Sequence, residues 1–288
     1  NYTGQQIRHY RSAMEITGGK KLGPSSLSDT MYKTVYKTFQ ALADYNVKFS
    51  KNDLSVLVGY TWEDESQRTV GGSRLNFPSD EVPYLNAGGA DGQTNSGGGY
   101  DWAIMSVFGR LTYNYDQRYL FETTMRYDGS SRFSPDSRWG AFPSFSLGWR
   151  LSEEYFMAGT KDYLSNLKLR LSYGKSGNNR TSDYAWQGTY GTAPVVIDGK
   201  QTMGLAVSKI GNNYLEWEST KALNVGLDFG FFDNRLTGEV EYYNKNTTGI
   251  LFTPSIYMTM GFKTAATENI AEVNNKGLEV SIKWNSHI

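Results

Sequence analysis

Residues 39–62 read FQALADYNVKF, SKND, LSVLVGYTW, and this stretch decides the fold. In its first part Phe39, Ala41, Ala43, Tyr45, Val47 and Phe49 alternate with Gln40, Leu42, Asp44, Asn46 and Lys48. A period of two is the signature of a β-strand with two unlike faces, because successive side chains of a strand point to opposite sides. Lys51-Asn52-Asp53 then supplies turn-forming residues, and Leu54, Val56, Val58, Tyr60 and Trp62 resume the alternation. The stretch is therefore a β-hairpin with one apolar and one polar face.

Working outward, the same pattern recurs over 107–115, 119–128, 140–151, 167–174, 221–231, 236–244 and 276–284, which makes nine expected strands. In the strands 39–49, 54–62, 107–115, 119–127, 167–173 and 278–284 the apolar phase holds no charged residue. The opposite phase carries Asp44, Lys48, Arg110, Glu122, Arg126, Lys168, Arg170, Glu279 and Lys283. Only 153–165 reads as a short helix or loop. The chain is all-β and antiparallel.

Alternation alone fits both a soluble sandwich core and a membrane barrel. Two features favour the barrel. Aromatic residues of the uncharged phase gather at strand ends (Tyr60, Trp62, Tyr113, Tyr115, Tyr119, Tyr127, Trp149, Tyr173 and Trp284), where a barrel places girdles at the lipid–water boundary. The connections also alternate in length. Those at 51–53, 116–118 and 232–235 are tight, whereas 63–103, 175–216 and 245–275 are long, and an antiparallel order puts all the long ones at one end. The join at 152–166 is of middling length. Short periplasmic turns opposite long extracellular loops are the asymmetry of an outer-membrane barrel.

Composition removes several other classes. Acidic and basic residues number 29 each, so no basic footprint points to nucleic acid. Cysteine is absent, and the two histidines, His9 and His287, stand near opposite ends, so no disulfide framework or zinc spacing exists. No run approaches the ~18 apolar residues of a membrane helix, which leaves β-barrels untouched. Walker A, dinucleotide and G-x-S-x-G fingerprints are missing. The sequence begins without methionine or a secretory signal and reads as an internal piece of something longer.

Several segments resemble the SusC/RagA family of TonB-linked outer-membrane transporters. They are Tyr127-Asp128-Gly129-Ser130-Ser131-Arg132-Phe133, Arg138-Trp139-Gly140, Ser146-Leu147-Gly148-Trp149-Arg150-Leu151, Leu164-Ser165-Asn166-Leu167, Leu215-Glu216-Trp217-Glu218, Asn224-Val225-Gly226-Leu227-Asp228-Phe229-Gly230, Tyr242-Tyr243-Asn244-Lys245 and Asn275-Lys276-Gly277-Leu278-Glu279. Each is weak alone; their order and spacing together are specific. The resemblance implies a transmembrane barrel of about 22 strands, of which 36–288 would be part. Residues 1–35 would be an extracellular loop or entry segment. The plug domain, the TonB box and the last strands would lie outside this sequence. It further implies TonB-dependent import of large nutrients, oligosaccharides or peptides, into a bacterial cell across the outer membrane. The expected partners are a SusD-like surface lipoprotein, TonB and the lipid bilayer, with no cofactor, no metal and no enzymatic activity. The rival readings are a soluble or surface-attached all-β glycan-binding module and a porin without a plug.

Candidate substrate-binding residues are the aromatics in or beside the long loops, Trp102, Trp139, Tyr184, Trp186 and Tyr190, whose rings suit stacking on sugars. Packing of loop on loop, or membership of the upper girdle, is the plainer role for each. Gly88-Gly89-Ala90-Asp91-Gly92 and Gly97-Gly98-Gly99 suggest a flexible first loop. Arg110, Glu122, Arg126, Lys168 and Arg170 are expected to face the lumen, contacting substrate or pairing across strands. Arg132 and Asp136 are expected to hold the loop after Tyr127. Glu216 and Glu218, two apart on a strand, share a face at ~6.8 Å, yet they fall in a transporter motif and not in a glycosidase one.

Overall fold

The computed structural model describes residues 2–11, 15–16, 20–21, 23–257, 259 and 264–285. The strands are β1 (Tyr2–Arg11), β2 (Glu15–Ile16), β3 (Lys20–Lys21), β4 (Ser26–Phe49), β5 (Asn52–Leu75), β6 (Gly89–Tyr115), β7 (Tyr119–Ser130), β8 (Trp139–Arg150), β9 (Leu164–Asn178), β10 (Thr189–Ile197), β11 (Lys200–Lys209), β12 (Glu218–Phe231), β13 (Leu236–Phe252) and β14 (Glu268–Trp284). Ten of them hydrogen-bond in the order β1-β4-β5-β6-β7-β8-β9-β12-β13-β14, an order that does not close on itself. The β2/β3 and β10/β11 pairs are separate hairpins. All nine expected strands are present, and β1 is a tenth.

The chain divides into two compact units. One comprises 40–62 and 104–288. Its register aligns the alternation of seven neighbouring strands into rows. One row runs Tyr113, Phe121, Leu147, Leu171, Val225, Tyr242 and Leu278. The next runs Tyr115, Tyr119, Trp149, Leu169, Leu227, Val240 and Val280. These rows make one continuous apolar face, and it lies open: Leu278, Val280 and Ile282 are 65%, 58% and 66% exposed. A soluble sandwich would cover such a face. The polar phase makes the other face, with Glu122 opposite Thr112 and Ser146, and Arg170 opposite Gly148 and Gly226.

The tight turns of this unit sit in left-handed backbone, with φ of 52° at Ser50, 53° and 58° at Asp116 and Gln117, and 55°, 54° and 59° at Phe232, Asp233 and Asn234. Asp and Asn tolerate this region well, and the twist it imparts suits a tight hairpin. The middling connection holds two 3-10 helices, Leu151–Glu153 and Tyr155–Thr160, where a short helix or loop is expected at 153–165. Its amides bond three residues back, Glu154 to Leu151 and Met157 to Glu154, both at 3.0 Å.

The other unit comprises 1–39 and 63–103. Here much of one expected loop is strand instead. β1 pairs with the start of β4 from Tyr2↔Val35 to Arg11↔Ser26. Likewise 63–103, expected as a flexible loop, is mostly the far halves of β5 and β6, and Gly89–Gly99 lies within β6. A strand of 24 residues is more than twice the ~9–11 residues a bilayer requires. Where it turns, Ser25 Oγ receives the Phe77 amide at 2.7 Å, the Asn76 amide bonds Ser25 O at 3.0 Å, and Leu27 is fully buried.

Candidate functional site

The polar face of the larger unit is built around Arg170. Its Nε donates to Asp228 Oδ1 at 2.8 Å, its Nη1 to Glu241 Oε2 at 3.2 Å, and its Nη2 reaches Glu239 Oε2 at 3.4 Å. Three strands, β9, β12 and β13, are thereby tied by one guanidinium. Gly226 makes this possible, because a Cβ there would lie 2.9 Å from Nη2, inside the space the side chain crosses to reach β13. Beside it, Gly148, Ser146 and Ser172 leave a depression of about 390 Å³, whose rim includes Thr112, Asn114, Glu122, Lys168 and Arg170. Thr112 donates to Glu122 at 3.3 Å, and Lys168 stands opposite Asp228 and Arg150 in the ladder. Arg126 grips both oxygens of Asp128 at 2.8 Å, bonds Ser106 Oγ at 2.8 Å and lies over the Phe108 ring at 5.4 Å. Arg110 is exposed on the same face, opposite Thr124.

The five expected cationic and acidic residues thus share one face. Sequence reading missed the partners of Arg170. Asp228, Glu239 and Glu241 all fall in the polar phases of strands that were legible, and the same period-two count applied to β12 and β13 finds them.

At the long-connection end the loops of this unit pack on one another. Phe133, Ala185 and Leu215 are fully buried, with Trp186, Trp217 and Leu251 against them. The Trp217 indole donates to Arg138 O at 2.8 Å, Ser134 Oγ to Asn213 O at 2.6 Å, Asn179 to Ser130 Oγ at 3.0 Å, and Arg132 pairs with Asp183 at 2.8 Å. These bonds give the loops a small hydrophobic core of their own. Arg132 therefore holds its loop as expected, while Asp136 is exposed.

The candidate aromatics do not form one cluster. Trp139 opens β8 and stacks on Tyr127 with centroids 4.9 Å apart and rings 9° from parallel, within the apolar face and not in a loop. Trp186 packs into the loop core, Tyr184 stands beside it with φ of 58°, and Tyr190 lies on β10, 72% exposed. Trp102 belongs to the smaller unit, where its indole donates to Glu65 Oε1 at 3.3 Å. Glu216 precedes β12 and Glu218 begins it, so the two carboxylates do not share a strand face. Glu218 accepts from Asn178 at 3.3 Å, and the Glu216 amide donates to Asn269 at 3.0 Å. Among the described residues no group of acidic and imidazole side chains has metal-binding geometry.

An antiparallel sheet with one open apolar face, one charged face and long connections at one end is the wall of a membrane β-barrel. Residues 1–287 match the family described as "TonB dependent receptor-like, beta-barrel", and the chain belongs to that family, whose barrels are bacterial outer-membrane proteins.

The chain is 41% identical over 186 residues to the TonB-dependent receptor SusC of Bacteroides thetaiotaomicron, covering 62% of this chain and 18% of that protein. It is 35% identical over 239 residues to the TonB-dependent receptor P3 of Formosa agariphila, covering 83% and 24%. Its fold superposes on the RagAB peptide transporter with a TM-score of 0.87 and 27% identity, over 99% of this chain and 31% of that one. The chain thus spans about a quarter or less of the length of these two receptors.

Proposed function

We propose that the protein is a SusC/RagA-type importer that carries large nutrients, oligosaccharides or peptides, across a bacterial outer membrane with energy transmitted by TonB and with a SusD-like surface lipoprotein at its mouth. The observation that carries this reading is the division of the sheet into two faces. The rows through Phe121 and Trp149 are free of charge, whereas the row through Glu122 is polar and the row through Arg170 is ionic. A lipid-facing surface cannot hold unsatisfied charge, and an aqueous lumen needs polar lining. In this reading Arg110, Glu122, Arg126, Lys168 and Arg170 face the lumen, and the loop core around Phe133 and Leu215 steadies the extracellular mouth. In this reading no residue performs covalent chemistry; RagAB is a peptide transporter, and SusC and P3 are TonB-dependent receptors.

The test is an affinity pull-down of the tagged full-length protein from detergent-solubilised outer membrane, paired with nutrient uptake in a TonB-deficient strain. Recovery with a lipoprotein and TonB-dependent uptake are the expected results. Recovery of the protein alone from the soluble fraction, or uptake that persists without TonB, would overturn the proposal.

A further inference from the structure

The apolar face of the larger unit is not smooth. Toward the short turns, β7, β8 and β9 place the rings of Tyr119, Phe121 and Trp149 beside the shorter Leu147, Leu169 and Leu171. The difference in height leaves a groove of about 750 Å³ among them, with Tyr113 at its β6 edge. Tyr119 stacks between Tyr115 and Trp149, with centroids 6.2 and 6.4 Å away and planes 30° and 19° apart, so one flank is a continuous aromatic wall. Leu147 is 45% exposed and Leu169 40%, and the groove lies open.

Its short-turn end is charged. Glu154 Oε1 accepts from the Tyr119 hydroxyl at 2.6 Å and from the Trp149 indole at 2.9 Å, which brings the carboxylate to the apolar side of the rim. From there the signs alternate. Arg118 lies 3.5 Å from Glu154 and 3.4 Å from Asp116, and Lys51 lies 2.8 Å from Asp116. The Glu154 and Asp116 side chains are only 10% and 21% exposed, whereas those of Arg118 and Lys51 are 33% and 57% exposed. What the rim turns outward is therefore cationic. A guanidinium carries five N–H donors and an ammonium three, so both cations keep donors beyond these pairs.

Resting on the reading of this sheet as a barrel wall with its short turns at the periplasm, we infer that groove and rim form a site for one resident glycerophospholipid of the periplasmic leaflet. One acyl chain lies in the groove, where leucine and ring carbons replace the contacts of neighbouring chains. Its phosphate sits on Arg118 and Lys51 through charge-assisted hydrogen bonds. The depth fits this division, because the amphipathic rings of Tyr119 and Trp149 belong at headgroup level and turn their polar atoms to Glu154. Both halves are needed: the groove alone takes any apolar chain, and the cations alone take any anion. Lipid A offers the same phosphate and acyl chemistry, but from the opposite leaflet, at the far end of the strands.

The experiment is native mass spectrometry of the full-length receptor, extracted from the outer membrane, stripped by detergent exchange and titrated with dioleoylphosphatidylethanolamine, dioleoylglycerol or lipid A. One phosphatidylethanolamine is expected to stay bound at collision energies that remove the rest. Leu169→Trp, which fills the groove, and Arg118→Gln, which removes an outward cation, should each weaken its binding by roughly tenfold. Leu278→Trp, on the same face at β14, should leave it unchanged, and dioleoylglycerol, without a phosphate, should not be retained. Heat-modifiability checks that each variant folds, and because the two changes alter unlike parts of the site, either one alone keeps the test informative. The inference is overturned if no single lipid outlasts the rest, if a folded variant of either kind holds it as the native protein does, or if dioleoylglycerol or lipid A is retained as well as phosphatidylethanolamine. A heat-modifiable receptor that gives any of these results remains a barrel and loses only the site.

Discussion

At the scale of single residues, Arg170 sets the strongest expectation. One guanidinium serves three carboxylates on two neighbouring strands, so its removal leaves negative charges facing one another. The pairs are partly hydrated, which limits their worth, and Glu239 is the most exposed partner at 56%. Arg170→Gln is therefore expected to lower stability by about 1–3 kcal/mol, and Glu239→Gln by much less, as measured by thermal unfolding of the full-length protein in detergent. Gly226→Val should resemble Arg170→Gln, because its side chain would occupy the space that the guanidinium crosses.

The rim of tight turns offers a second expectation at this scale. Hydrogen bonds from the Tyr119 hydroxyl and the Trp149 indole, with Arg118 nearby, hold the Glu154 carboxyl below its usual range. The Lys51 ammonium does the same for Asp116 at 2.8 Å, with Arg118 adding to it. A carboxylate depressed in the folded state contributes stability above its unfolded pKa and loses it as pH falls through the depressed value. Acidification from neutrality to below the ordinary carboxylate range should thus lower the melting temperature, and Glu154→Gln and Asp116→Asn should each flatten that acid limb.

At the scale of elements, the loop core behaves as a local unit. Leu215 is fully buried among Phe133, Ala185 and the two tryptophans, yet it lies outside the strand ladder. Leu215→Ala is expected to cost about 2–3 kcal/mol, and the loss should appear first as local opening. Limited proteolysis of the full-length protein should cut 179–188 or 211–217 faster, while the strand ladder stays protected. The strands themselves answer to register. Because their period is two, a slip of one residue would turn the row through Phe121 and Leu147 onto the charged face. That is why the alternation alone located all nine of the expected strands.

At the scale of the whole molecule, the apolar face decides where the protein can live. Leu171→Arg and Val225→Arg place a charge in the middle of that face and should each cost about 2–4 kcal/mol of bilayer stability. Ser172→Arg, one residue away on the other face, should be nearly neutral. Heat-modifiability after assembly into the outer membrane measures all three. Equal tolerance on both faces would contradict the membrane reading.

What the sequence determined by itself is whatever a two-residue period can encode: the nine strands, the face of each side chain and the end at which the long connections gather. Hydration on one side and hydrocarbon on the other write that period into β6, β7 and β9 directly. The tertiary structure decided the rest. The far halves of β5 and β6 and the whole of β1 lack the alternation of apolar and polar residues, so their strand character arises from ladder hydrogen bonds that no hydropathy pattern records. Register alone set Asp228, Glu239 and Glu241 around Arg170, and hydrogen bonding across strands set Trp102 on Glu65. Those groups are 58 to 71 residues apart in one case and 37 in the other. Local sequence fixes which way a strand residue points, but only the pairing of distant strands fixes what it meets.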